Sequence, residues 1–333
     1  MENVRPIQPT ALDTPRPTRS RAKRTPDPAT ITATLASGFP LANELEADDC
    51  AEAFARYAIG SQLRTIIDHE SSARIGHDPE GIHQMRAAGR RLRTYVAHLD
   101  DVLDPKWSSV MRSELRWLGR SLGQVRDLDV MRDVLAACAA SLPAAEVHQL
   151  EPLFATIATQ RTLAHHALCE DFDDERFSEL MVSATNAVHD PPILDGVHAD
   201  AATLCRSITS TAWDRLNDAV EQLGATPSDG ALHHVRRRAK RARFASELAV
   251  PIIDAPARKL AKSLANVQNV LGVQHDAVVA HQWVKNHAHG ESADVNFAAG
   301  MVAGLLRNAA QAAAREFPVA WQRASRKKLR AWL

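Results

Sequence analysis

Two stretches of this chain match each other at a fixed separation. Residues 82–94 read IHQMRAAGRRLRT and residues 232–244 read LHHVRRRAKRARF, an offset of 150. The register pairs His83 with His233, Arg86 with Arg236, Arg90 with Lys240, Arg91 with Arg241 and Arg93 with Arg243. A second block, SLGQVRD against VLGVQHD at an offset of 149, pairs Leu122 with Leu271, Gly123 with Gly272 and Asp127 with Asp276. Five ionisable matches in one register, followed by a second matched block, point to an internal duplication, so both halves must build the same unit.

That unit is helical. Alanine is abundant, glycine is scarce at 14 residues, and runs that alternate Val, Ile or Tyr with polar residues are missing. Apolar residues recur at helical spacing from residue 48 onward. Gly, Pro and Asp punctuation falls at HDPEG, LDPKW, GQVRDLD, SLPAAE, HDPPILDG, GATPSDG, IDAP, GVQHD, HGES and EFPVA. These breaks predict helices near 48–75, 79–103, 105–123, 127–140 and 144–171. A second set of similar lengths is predicted near 196–224, 229–251, 255–272, 275–288 and 292–315. A short helix near 174–186 joins the sets and another closes the chain. The expected fold is all-α, two internally duplicated helical bundles related by a pseudo-twofold axis. Residues 1–44 hold seven of the 17 prolines and the basic run RPTRSRAKR, and are expected to form a disordered tail. The domain is expected over 45–320, with halves at 45–186 and 195–316, and a C-terminal helix over 317–333.

Composition excludes several classes. No apolar run is long enough to span a bilayer. The N-terminus lacks the apolar core of a secretory signal, which makes the cytoplasm the expected location. Cys50, Cys138, Cys169 and Cys205 form no C-x-x-C pair, so they are expected as reduced, packed residues rather than zinc ligands. The 40 basic and 40 acidic residues cancel. Neutrality argues against coating nucleic acid with the whole surface, but a local basic site remains open.

Such a site is written into the repeat. With His83 at zero and 100° per residue, Arg90 lies at about −20°, Arg86 at about −60° and Arg93 at about −80°. Met85, Leu92, Val96 and Leu99 lie opposite, so the helix buries one side and presents cations on the other. His233, Arg236, Lys240 and Arg243 repeat the spacing, while Arg91 and Arg241 sit off the stripe. Like charges three and four residues apart destabilise a helix, and no acid interrupts either row. The rows call for an external anion or a cross-helix carboxylate. Ten residues span about 15 Å of helix, a line of charge better matched to a linear polyanion than to one phosphate. Arginine suits phosphate because its planar fork donates two hydrogen bonds and keeps its charge. No glycine-rich phosphate loop occurs. Recurrence on the cationic face favours ligand contact for the two histidines over simple helix-start bonding. Metal ligation is disfavoured because arginines surround each of them.

Other candidates carry less. Asp127 is expected as a helix N-cap, or, with Asp276, as a pin for a neighbouring basic side chain. The His189–Asp190 and His275–Asp276 pairs are expected as loop caps. Arg112, Arg116 and Arg120 form a second basic stripe, either a solvated face or support for an anion channel. Lys262 stands on the same footing, while Arg126, which precedes Asp127, either pairs locally or faces the ligand.

The paired IHQMRAAGRRLR and LHHVRRRAKRAR, with LGQVRDLDV and LGVQHDAV downstream, resemble the CHAD family, the conserved-histidine α-helical domain. The resemblance covers roughly residues 45 to 320. It implies two helical bundles related by internal symmetry, a basic surface or channel, binding of inorganic polyphosphate and association with polyphosphate granules. The binding set it implies is His83, Arg86, Arg90, Arg93, His233, Arg236, Lys240 and Arg243. Arg91, Arg241, Arg116, Arg120, Arg126 and Lys262 form a secondary set. RAAGRR departs from the family's usual Val and Thr, and Gly89 is a small helical cost. The triphosphate-processing barrel found before many such domains is not expected in about 45 residues, and ELEAD has two glutamates without that barrel's lysine. The chain is therefore expected to bind without catalysis, with no cofactor or metal. Two alternatives stay open: sequence-neutral nucleic-acid binding, for which Tyr95 and Phe244 are the aromatics near the cationic faces, and a metal-dependent phosphohydrolase.

Overall fold

A computed structural model describes the protein from Leu45 to Leu333; the expected disordered tail, residues 1–44, lies outside the described residues. The first half contains α1 (Ala51–Ile75), α2 (Pro79–His98), α3 (Pro105–Ala139), α4 (Ala144–Gln149), α5 (Glu151–Asp173) and α6 (Glu175–His189). The second contains α7 (Ala201–Glu221), α8 (Asp229–Leu248), α9 (Val250–Ile253), α10 (Ala255–Ala288) and α11 (Ala293–Ala324), then a 3-10 turn at Lys327–Leu329. There is no sheet among the described residues; two isolated bridges, Cys50 with Asp200 and Leu103 with Ile193, tie the halves at their loops.

Much of the punctuation acts as capping. Asp78, Asp104, Asp174, Asp200, Ser228 and Ser292 each accept a backbone N–H at a helix start, and Pro79 and Pro105 occupy first-turn positions where a missing N–H costs nothing. Three expected breaks are absent. The helix starting at Pro105 runs through Gly123 and Asp127, and the one starting at Ala255 runs through Gly272 and Asp276. Both glycines instead make room for an arginine. A β-carbon on Gly123 would touch Arg86 Nη2 at 3.6 Å, and one on Gly272 would touch Arg236 Nε at 3.8 Å. An alanine would still fit there; a branched side chain would push the guanidinium away. Asp127 is consequently not an N-cap, and His275–Asp276 is not a loop cap. The third break, at EFPVA, yields to packing: α11 carries Pro318 internally, and Phe317, Ala320 and Ala324 are buried on either side of it. The end of the chain is thus the last turns of α11 plus a 3-10 turn, rather than a separate helix.

The main core is shared between the halves. It joins Phe54, Leu63, Met85, Leu92 and Leu118 of the first half to Trp213, Leu216, Leu264 and Leu271 of the second. A smaller core lies under the far ends of α3 and α10, where Leu135 and Ile157 meet Ala280, Val302 and Leu306. One buried ion pair braces the first half. Arg161 of α5 donates to Asp129 of α3 at 2.7 Å and to the Gly76 carbonyl at 2.9 Å. Asp129 is 1% exposed, so removing its partner strands a charge in the interior. Arg161→Met should therefore destabilise the fold by roughly 3–5 kcal/mol, and adding Asp129→Asn should restore part of that. Urea unfolding of the single and double variants checks it; equal midpoints for Arg161→Met and the parent would refute the assignment.

Candidate functional site

Helices α2 and α8 pack together in the middle of the molecule. Each turns its apolar stripe inward: Met85, Leu92 and Val96 on α2, Val235, Ala239 and Ala242 on α8, all 1% exposed or less. Their basic flanks open onto one groove of about 730 Å³, whose other wall comes from the second halves of α3 and α10. Three helices thus supply its cations: Arg86, Arg90 and Arg91 from α2, Arg126 from α3, and Arg236, Lys240 and Arg243 from α8, while α10 contributes His275 and Asp276. Against seven arginines and lysines the lining sets two carboxylates, Asp127 and Asp276, a formal excess of five positive charges.

The two carboxylates do not neutralise the rows. Arg86 Nη1 meets Asp127 at 2.8 Å, yet its Nε is buried with no acceptor, and Arg236 Nε is buried in the same condition. Burial pushes the Asp276 carboxyl above the usual range, with Arg236 opposing and Asp127 reinforcing the shift. The cations feel the crowding. Burial, then the charges of Arg90, Arg236, Arg86 and Arg243, lower Lys240 to about 7. Burial and Arg86 lead the effects that lower Arg90 to about 10. His83, lowered by burial and then by Arg126, lines the groove. His233 and His275 lie ring against ring, centroids 4.3 Å apart and Nδ1 atoms 3.1 Å apart, and both are lowered, by burial first. The site is therefore a cavity of strong donors whose positive forms are held at a cost, the situation an incoming anion relieves.

Not every candidate meets there. His83, Arg86, Arg90, His233, Arg236, Lys240 and Arg243 line the groove, as do Arg91 and Arg126 of the secondary set. Arg91, off the stripe by angle, reaches in because its guanidinium lies over the Phe244 ring at 5.2 Å. Arg93 does not line it, although its repeat mate Arg243 does; the charges acting on Arg93 are those of Arg116 and Arg241. Arg241 and Arg116 accordingly lie outside the groove, as does the exposed Arg120. Lys262 lines a separate basin of about 670 Å³. Arg112 is bound to Asp100 at 2.6 Å. Both aromatics offered for base stacking are covered, Tyr95 at 3% exposure and Phe244 at 5%. The reading missed Trp283, which lines the groove and stacks on His287, and an apolar wall of Leu128, Met131, Val134 and Val279. The matched Asp127 and Asp276 were the available signal for that wall, since they mark the same two helices. No group of three or more His, Cys, Asp or Glu among the described residues is placed to hold a metal ion. No described helix is long and apolar enough to cross a membrane.

Comparison with known proteins agrees with the all-α fold. The CHAD domain model matches residues 57–285. An uncharacterized protein of Mycobacterium tuberculosis is 26% identical over 215 residues, covering 61% of this chain but only 39% of that protein. The crystal structure of the CHAD domain from the plant Ricinus communis superposes with a TM-score of 0.62 at 26% identity, covering 86% of this chain and 93% of that one. PptA from Streptomyces chartreusis shares the fold, with a TM-score of 0.68 at 19% identity over 82% of this chain and 100% of its own.

Proposed function

The chain belongs to the CHAD domain family, and on that premise we propose that its groove binds inorganic polyphosphate without turning it over. The observation that carries the reading is the convergence of seven cations from three helices on one groove that offers two carboxylates in return. An elongated anion suits it better than a single phosphate. The α8 contribution alone runs from His233 to Arg243, about 15 Å of helix axis, and the α2 row faces the same space. A phosphate chain accepts hydrogen bonds along its whole length, so it can engage the guanidinium groups of Arg86 and Arg236, both of which line the groove, together. Binding in this way would bring the protein to polyphosphate granules.

The same charges support binding without catalysis. Metal-assisted phosphoryl transfer draws on divalent cations, and the excess of positive charge along the groove, which persists after Glu247 has paired with Arg91 and Arg243, repels them. Base stacking needs open aromatic faces; Tyr95 and Phe244 are covered, which leaves the half-buried Trp283 as the aromatic the groove offers.

The test uses the full chain and long-chain polyphosphate. Affinity should fall steeply with salt, with a log–log slope of roughly −3 to −5 for about five neutralised phosphates, by analogy with other polyphosphates. Single-stranded RNA of matched charge should compete poorly. Equal competition by RNA would move the assignment to nucleic acid. Phosphate release on adding Mg²⁺ or Mn²⁺ would end the non-catalytic reading.

A further inference from the structure

The groove ends at a bridge. Glu247 of α8 accepts from Arg91 Nε of α2 at 3.0 Å and from Arg243 Nε at 2.6 Å, one carboxylate oxygen to each. Both guanidinium groups lie over the same Phe244 ring, at 5.2 and 5.8 Å, so the three charged groups form a fixed cluster on an aromatic base. Arg243 lines the groove on one side of this cluster and the second basin on the other, while Glu247 lines the basin. Beyond it the basin holds Arg258, tied to Asp254 at 2.6 Å, and Lys262, which is exposed and makes no ion pair among the described residues. The two cavities therefore share Arg243 and meet at Glu247, with the cation Lys262 beyond it.

The repeat shows that this carboxylate is not a requirement of the folded unit. The offset of 150 that pairs Arg93 with Arg243 pairs Ala97 with Glu247. The first unit folds with an exposed alanine at that place. The bridge is thus a feature of one half, set where the groove meets the basin.

Resting on the polyphosphate reading, we propose that Glu247 is a built-in stop for the bound anion: its carboxylate takes the place on Arg91 and Arg243 that a phosphate group would take, confining the chain to the groove and keeping it off Lys262. The physical reason is direct. A carboxylate and a phosphate are alike in charge and in the geometry with which they accept from guanidinium, so the two compete for the same donors. A chain that passes the bridge must displace Glu247 or lie against it, and like charges at contact repel. Glu247 then fixes how many phosphates the site engages.

Isothermal titration of the full chain with tripolyphosphate and with long-chain polyphosphate tests this in four proteins: the parent, Glu247→Gln, Lys262→Glu and the double variant. Glu247→Gln should tighten long-chain binding roughly fivefold, the scale of one part-exposed charge pair. It should also steepen the log–log salt slope by about one for the freed guanidinium groups. Tripolyphosphate, which fits within the groove, should change less than about twofold. Lys262→Glu should do little in the parent and erase most of the gain in the Glu247→Gln background. Unchanged long-chain affinity in Glu247→Gln, or additive effects of the two substitutions, would overturn the proposal. So would a large loss from Lys262→Glu in the parent, a readout that stands even if Glu247→Gln folds poorly. A parent protein that binds no polyphosphate overturns the functional reading itself; a parent that binds, with Glu247→Gln indistinguishable from it, overturns the stop alone.

Discussion

Replacing Arg86 and Arg236 together with glutamine should weaken polyphosphate binding at least about a hundredfold while leaving the helical content intact. Each guanidinium is held over a glycine of the facing helix, Gly123 or Gly272, with its Nε buried and idle. A hydrogen bond to a charged acceptor is worth about 1.5–3 kcal/mol, so losing two costs at least about 3 kcal/mol, or a factor above one hundred. The single variants should be unequal. Arg86 is already engaged by Asp127, so part of its affinity for phosphate is spent on exchanging one anion for another. Arg236 makes no ion pair among the described residues, and Arg236→Gln should be the more damaging of the two. Arg176→Gln is the control. That residue pairs with Glu114 outside the groove, and its loss should leave binding unchanged. Fluorescence anisotropy with labelled polyphosphate, alongside circular dichroism, makes the measurement. Retention of affinity within about threefold in the double variant would remove the groove from consideration.

The helical class was legible because it depends on local pattern, and so were the two cationic rows, because a face of a helix is fixed by angle alone. What could not be read locally was where the rows point once helices cross. Arg93 and Arg243 hold matched positions in the repeat, yet Arg243 lines the groove and Arg93 turns toward Arg116 and Arg241. Glu247, present in one half and replaced by Ala97 in the other, is the visible difference between the two environments. Gly123 and Gly272 misled for a related reason. Glycine is a poor helix former, and four residues before an aspartate it looks like a terminus, but both sit in long helices where a facing arginine needs the space. Placing false breaks there cut α3 and α10 in two. It hid the distal halves of those helices, and with them Met131, Val279 and Trp283, which form the wall opposite the cations.

Polyphosphate affinity should decline as pH rises from 7 to 9, and Lys240 is the reason. In the free protein burial and the charges of Arg90, Arg236, Arg86 and Arg243 hold this amine at about 7. A bound anion favours the ammonium and raises that value. Below pH 7 Lys240 carries its proton whether or not ligand is present, so it adds no pH dependence there. Above pH 7 the free protein sheds the proton and binding must recover it, so affinity falls by up to about tenfold per unit until the raised value is reached. The other titratable groups facing the groove do not produce this window: His83, His233 and His275 are all lowered and respond at more acidic pH, while Arg90, lowered only to about 10, remains charged. Titrations near pH 8 in buffers of different ionisation enthalpy should report uptake approaching one proton. Lys240→Arg should keep the charge and flatten the profile. Lys240→Met supplies the converse. Between pH 7 and 10.5 the unfolded chain holds a proton that the folded one releases, so this lysine costs stability fully below pH 7, and the cost fades as pH rises. Lys240→Met should therefore melt several degrees higher at pH 6.5 and bind polyphosphate more weakly, with the stability gain smallest near pH 10. A Lys240→Met protein that melts lower than the parent at pH 6.5, or a Lys240→Arg protein that keeps the decline between pH 7 and 9, would show that the crowded amine is not the group that senses the anion.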